Sequence, residues 1–310
     1  MAEIVFIGDD FTGASDTLAT LAERGARVRL FLDTPEAGET DGLDAVGIAT
    51  DLRARSPDQI DARLRALAPA VMRLAPRFVH YKVCSTFDSA PEVGSIGAAV
   101  LALETAIRPD RTILLGGQPS LGRYCLFANL FARAPDGLTY RIDRHPIMRS
   151  HPVTPMDEAD LRVHLARQGL GDLRLVDRTE LCSLPNPLGS GASRVLVDAV
   201  EQRDVDRLGE VLRGPSKSAL TLMVGASGVA EALVLHGQET MRPLEDAGRQ
   251  AGPILGIAGS RSSATAAQVA AATSYELLPV EPADLAHSSP LVERSVRLLS
   301  AGRNVLVHLQ

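Results

Sequence analysis

Short apolar runs that alternate with helix-patterned segments constrain this chain more than any other feature of its sequence. Residues 3–8 form a β-rich apolar run ending in Gly8, Asp9 and Asp10, and a helical pattern follows over 15–24. Further strand-like runs fall at 26–32, 45–50, 78–83 and 112–115, with helical stretches at 57–74 and 97–106 between them. Short apolar strands separated by helices predict an α/β fold: a doubly wound, mostly parallel sheet covered on both faces. Ligands of such sheets bind beyond the carboxyl ends of the strands, where the loops 9–16 and 82–89 both lie.

Periodicity fails from about 140 to 156, where RIDRHPIMRSHPVTPM carries two His-Pro pairs and predicts a fixed, irregular loop. Alternation resumes at 161–168, 173–176, 193–197, 205–212 and 219–224. A polar stretch rich in Gly, Glu and Arg, 236–252, is expected to link a first domain, 1–235, to a second that begins at Pro253. There 254–258 reads as a strand, 259–264 as a loop, the next residues to about Ala272 as a helix, and 304–309 as a last strand. Complete domains usually exceed ~100 residues, so 253–310 is expected to be an incomplete α/β layer whose last strand lies centrally. Such a layer leaves apolar surface to be covered by a second copy of the chain, making a homo-oligomer, or by the rest of a longer protein.

Composition narrows the partners. The 310 residues are 45% hydrophobic but only 4% aromatic, so the core must be mainly aliphatic. A formal charge of -6 lacks the basic surplus that neutralises phosphates, which argues against a nucleic-acid partner and for a small molecule. No apolar run approaches the ~20 residues of a membrane helix, and MAEIVFIGDD is acidic where a signal peptide is basic; the cytoplasm is the expected compartment. Cys84, Cys125 and Cys182 are widely spaced and without a CxxC pair, which predicts reduced thiols and no structural metal.

Three segments carry candidate chemistry. Between strand and helix, Asp9, Asp10, Thr12, Gly13, Ser15 and Asp16 gather three carboxylates and two hydroxyls. A capping loop with Ser15 or Thr12 as N-cap explains one or two of these residues, but adjacent aspartates repel unless a ligand or partner compensates them. After the strand at 78–83, Lys82, Cys84, Ser85, Thr86, Asp88 and Ser89 lead to Gly94 and Gly97 at a helix start, a setting suited to a carboxylate or phosphate. A solvated loop explains that segment equally well. Gly116, Gly117 and Gln118 precede Arg123, which could grip a carboxylate from two sides or serve the fold alone. Cys84 has no legible base beside it, and His145 and His151, each before a proline, read as hydrogen-bonding loop residues. Neither GxxxxGK[ST] nor GxGxxG occurs, so residue chemistry alone stops at a sugar-acid or phosphate site.

Read in order, IGDDFTGASD, YKVCSTFDSAPEVGSIG, GGQPSLGRY, HPVTPM, VGASGVAEAL and GIAGSRSSATAAQ resemble the four-carbon acid sugar kinases over nearly the whole chain. The resemblance implies ATP-dependent phosphorylation, with Mg²⁺, of a terminal hydroxyl of threonate, erythronate or 3-oxo-tetronate. It implies a substrate site of Asp9, Asp10, Thr12, Gly13 and Asp16 joined by Lys82, Ser85, Thr86 and Arg123. It also implies a nucleotide site opened by Gly259, Ser260, Ser262, Thr265 and Gln268. Catalytic roles fall to Asp10, Asp16 and Lys82, with Asp10 the expected base and Asp9 or Asp16 its alternatives. Two departures stand out: Cys84 replaces an acid and Asp88-Ser89 replaces Arg-Gly in the family's K-x-DST-x-RG, and no GG-x-TSG segment occurs among these residues. Two alternatives therefore stay open, a non-catalytic sugar-acid or phosphate binder and an effector or interaction protein.

Overall fold

Eight parallel strands order the first part of the molecule. The computed structural model describes residues 2–36, 38–189, 193–214, 219–234 and 251–309. Its backbone forms two compact units, 1–242 and 243–310. The linker expected at 236–252 lies outside the described residues except for its last two.

The first unit runs β1 (Ile4–Gly8), α1 (Phe11–Glu23), β2 (Val28–Phe31), β3 (Ala45–Ala49), α2 (Pro57–Arg73), β4 (Phe78–Lys82), α3 (Ile96–Ile107) and β5 (Arg111–Leu115). A small antiparallel sheet follows, β6 (Arg123–Leu126), β7 (Asn129–Arg133) and β8 (Thr139–Arg141). The main fold resumes with α4 (Leu161–Ala166), β9 (Arg174–Val176), α5 (Arg178–Ser183), β10 (Arg194–Val197), α6 (Gln202–Leu212), β11 (Thr221–Gly225) and α7 (Gly228–Leu233). The main sheet has the order β2-β3-β1-β4-β11-β5-β10-β9, parallel throughout. Residues of α2, α3 and α4 pack one face and residues of α1, α5, α6 and α7 the other, in two aliphatic clusters. This is the doubly wound arrangement that unbroken apolar strands require, since β1, β3, β4 and β11 are buried along their whole length.

Two local features depart from expectation. Helix α1 begins at Phe11, and its N-cap is Asp10, not Thr12 or Ser15: the Asp10 carboxylate accepts the Gly13 N–H at 2.7 Å. Gly8 lets this helix press onto β1, because a Cβ there would stand 2.6 Å from the Ala14 Cβ. The β6–β8 sheet was not legible as strands, since its first turn uses Phe127 and Ala128, both at positive φ, where a hairpin signal would show Asn or Gly. Buried Asp198 compensates by accepting both of their N–H groups.

The second unit holds β12 (Leu255–Ala258), α8 (Ser263–Ala271), β13 (Glu276–Val280), α9 (Ser289–Ser300) and β14 (Val305–Leu309), in the parallel order β12-β14-β13. The last strand is central, as expected, while β13 and α9 are elements the sequence reading passed over. On β12, Leu255 and Ile257 are exposed. Among the described residues, no helix is long and apolar enough to cross a membrane.

One buried titratable group sets a pH dependence. His80, inside β4, is fully buried with its Nε2 3.0 Å from the Gly225 carbonyl, and burial pushes its pKa down to about 3. The unfolded ring titrates near 6.5. The folded state therefore keeps its full stability above about pH 6.5 and loses it as pH falls below, where only the unfolded chain takes up the proton. Between pH 6.5 and 5, urea unfolding is expected to show the wild type losing about 1.5 kcal/mol more than His80→Gln. Equal losses in the two proteins would contradict a neutral buried ring.

Candidate functional site

Four neighbouring strands end in step. Lys82 on β4 pairs with Gly8 on β1 and with Gly225 on β11, and Gly225 pairs with Leu115 on β5. The residues just beyond these ends enclose a cleft of about 250 Å³. The loop after β1 and the start of α1 supply Asp10, Thr12, Gly13 and Asp16; Arg53 arrives from beyond β3. Lys82, Cys84 and Ser85 come from the end of β4, and Gln118, Leu121 and Ala226 complete the wall. Strand β1 feeds a helix on one face of the sheet and β4 a helix on the other, so the cleft sits where the winding reverses.

Arg53 resolves the adjacent aspartates. Its Nη2 and Nε grip the two oxygens of Asp9 at 2.7 and 3.2 Å, while Nη1 donates to Asp10 at 2.8 Å. Burial pushes the Asp9 carboxyl up to about 6 against the opposing pull of Arg53, so Asp9 is mostly ionised at pH 7. Burial also works against the Arg53 charge, and the Asp9 and Asp10 carboxylates overcome it to hold the guanidinium cationic. Asp10 thus spends one oxygen on the helix cap and the other on Arg53.

Lys82 is held differently. Its side chain is buried and donates one hydrogen bond, 2.9 Å to the Val83 carbonyl; among the described residues no carboxylate pairs with it. It lies over Gly13, where a Cβ would come within 2.6 Å of Asp10 Oδ1 and 2.7 Å of Lys82 Nζ. Only a glycine leaves room for both charged groups at the helix start. Asp16, one turn further along α1, is exposed, and among the described residues it receives a single side-chain hydrogen bond, from the Ser227 hydroxyl.

Asp10, Thr12, Gly13, Asp16, Lys82 and Ser85 thus meet in one cleft, and four other expected residues do not line it. Asp9 lies beneath, consumed by Arg53. Thr86 and Asp88 are buried and hydrogen-bonded to each other at 2.5 Å, with Thr154 donating to the second Asp88 oxygen at 3.3 Å; they fasten the loop from within. Arg123 turns its Nη1 onto the carbonyls of Leu121, Gly122 and Arg133, closing the turn before β6. Cys84 does face the cleft, but burial and Asp88 push its thiol up, which leaves it protonated and a poor nucleophile. His145 and His151 accept backbone N–H groups through Nδ1, the loop role expected of them.

In the second unit, the loop after β12 and helix α8 form a hollow of about 430 Å³. Ser260, Ser262 and Thr265 line it beside Arg261 and His308, whereas Gly259 and Gln268 do not. Ser262 caps α8 by accepting the Thr265 N–H at 3.1 Å. Among the described residues, no group of three metal-ligating side chains is present.

The sequence reading missed Arg53, although it follows a strand end as the other loops do; the unexplained Asp9-Asp10 pair was the signal that a cation had to exist. It named Gln118 only as part of a flexible loop and passed over Ser227 and Glu231 as individual residues, although all three lie in segments that carried the resemblance.

The model of the sugar-binding N-terminal domain matches residues 4–233. A 3-oxo-isoapionate kinase of Paraburkholderia graminis is 34% identical, covering 98% of this chain and 69% of the relative. A 3-oxo-tetronate kinase of Pseudomonas savastanoi pv. phaseolicola is 33% identical (97% and 72%), and a D-threonate kinase of Salmonella typhimurium 28% (98% and 71%). A crystal structure of a Salmonella typhimurium LT2 protein superposes with a TM-score of 0.75 at 25% identity, covering all of this chain and 74% of that one. A Haemophilus influenzae protein shares the fold at a TM-score of 0.70 and 22% identity, over 98% of this chain and 74% of its own. With the sugar-binding domain matched over most of the described cleft unit and relatives of this identity spanning nearly every residue, the chain belongs to the four-carbon acid sugar kinase family.

Proposed function

We propose that the cleft binds a four-carbon sugar acid and that the protein transfers the γ-phosphoryl group of ATP to its terminal hydroxyl. The observation that carries this reading is the buried Lys82 ammonium, without an acid partner among the described residues, in a small cleft that Asp10 and Asp16 also line. A buried cation with unused donors calls for an anion, and the carboxylate of a sugar acid supplies one. Thr12 and Ser85 offer hydroxyls for the substrate's own, and the relatives named above act on oxo and hydroxy sugar acids.

The chemistry asks the protein mainly to position and neutralise charge. The attacking hydroxyl donates its proton to a carboxylate while its oxygen forms a bond to the γ-phosphorus; the bond from that phosphorus to the β–γ bridging oxygen breaks and ADP departs. Asp16 suits the accepting role better than Asp10, the residue expected from the sequence. Both Asp10 oxygens already accept charge-assisted or capping bonds, whereas one Asp16 oxygen has no partner among the described residues. Lys82 would hold the substrate carboxylate or the transferring phosphoryl group. ATP would draw on Ser260, Ser262 and Thr265 at the start of α8, where free helix N–H groups favour phosphate oxygens. Mg²⁺, when bound, would neutralise phosphate charge beside the nucleotide, held by one or two carboxylates together with the phosphates.

Steady-state kinetics with ATP and a panel of 3-oxo-tetronate, threonates and erythronates tests this assignment. Asp16→Asn is expected to lower kcat by at least ~100-fold with the unfolding midpoint nearly unchanged, the usual contribution of a general base. Asp10→Asn keeps a competent N-cap and should lose at least tenfold less, by about that margin. The opposite order would return the base to Asp10, and wild-type turnover in Asp16→Asn would remove Asp16 from the chemistry.

A further inference from the structure

Behind Asp16 lies a buried polar layer, and we infer that Ser227, Gln118 and Glu231 are positioning residues that aim the Asp16 carboxylate at the substrate hydroxyl, an inference that rests on the proposed phosphoryl transfer. Ser227, just beyond β11, is fully buried and gives its hydroxyl hydrogen to Asp16 Oδ2. A hydroxyl has one hydrogen to give, so the same oxygen must be supported by a donor. That donor is Gln118, whose Nε2 reaches Ser227 Oγ at 2.8 Å; the Gln118 Oε1, 3.2 Å from the same hydroxyl, is the second acceptor within its reach, and the shorter bond to Asp16 takes the hydrogen. The same nitrogen lies 3.2 Å from Glu231 Oε1, which also accepts from Ser120 Oγ at 2.6 Å. An amide nitrogen carries two hydrogens, and here both are spent, which fixes the rotation of the Gln118 side chain.

With the Ser227 hydrogen given to Asp16, the hydrogen bonds run in one direction. Glu231 orients Gln118, Gln118 supports Ser227, and Ser227 pins one oxygen of Asp16. The three positioning side chains are buried, so each bond is made away from competing water and a missing partner would leave a costly unsatisfied group. Packing holds the layer as well. Helix α7 approaches the loop after β5 so closely that a Cβ at Gly228 would sit 3.4 Å from the Gln118 side chain. The layer thus gathers the carboxyl ends of β5 and β11 against α1, and the cleft-lining carboxylate on α1 is left with one oxygen fixed and the other without a partner among the described residues.

A group that acts only through Asp16 should change the chemical step and not substrate binding. In the full 310-residue chain, Ser227→Ala is expected to lower kcat about tenfold or more, the scale on which small misplacements act, with KM for the sugar acid within about twofold. Ser227→Thr, which keeps the hydroxyl, should recover most of the loss. In an Asp16→Asn background Ser227→Ala should cost almost nothing further, because the group it aims is gone. Glu231→Leu, which removes the acceptor that fixes Gln118 and lies outside the cleft wall, should reproduce the kcat-only loss and replaces Ser227→Ala if that protein fails to fold. An unchanged kcat in either variant, a loss confined to KM, or an equal further loss on top of Asp16→Asn would overturn the positioning role. A wild-type chain that phosphorylates none of the acids would sink the proposed function itself and this inference with it.

Discussion

One guanidinium holds this site together. Asp9 and Asp10 follow each other at the end of a buried strand, where two carboxylates repel and neither is fully solvated. Arg53 grips Asp9 with two nitrogens and Asp10 with a third, so three charges form one clamp. Breaking a buried pair from one side typically costs about 3–5 kcal/mol, because the remaining charge is left without compensation. The clamp also fixes the start of α1, since the carboxylate that meets Arg53 is the one that caps the helix. From that cap follow the glycine over which Lys82 lies and the position of Asp16 a turn later.

The sheet explains why the charges fall where they do. Strands β1, β4, β11 and β5 are in register at their carboxyl ends, so loops far apart in sequence open at one rim. With Arg53 committed to the aspartates, Lys82 is, among the described residues, the cation of the cleft wall left to meet a ligand.

Much of this was legible in the sequence, for identifiable reasons. Unbroken apolar strands such as IVFIG and AVGIA between helical patterns admit little besides a covered parallel sheet, and the sheet fixes the rim on which the acidic and lysine loops meet. The illegible parts depend on partners distant in sequence. The turn at Phe127 and Ala128 carries no turn residues because Asp198, some seventy positions later, supplies its hydrogen bonds. Arg123, a plausible carboxylate ligand by type, was claimed by nearby carbonyls. Thr86 and Asp88 looked like site residues because they are polar and close to Lys82, yet they bond each other beneath the surface. A side chain's chemistry can be read from its letter, but the direction in which it points is set by its neighbours in space.

Isothermal titration calorimetry of the full chain with 3-oxo-tetronate, the threonates and the erythronates tests the central claim most directly, because it asks whether the buried Lys82 is what the cleft offers a sugar acid. At least one acid is predicted to bind the wild type, with affinity falling at least about tenfold in Lys82→Met while the unfolding midpoint stays close to that of the wild type. Undiminished affinity in Lys82→Met, or a wild-type protein that binds none of these acids, would contradict it.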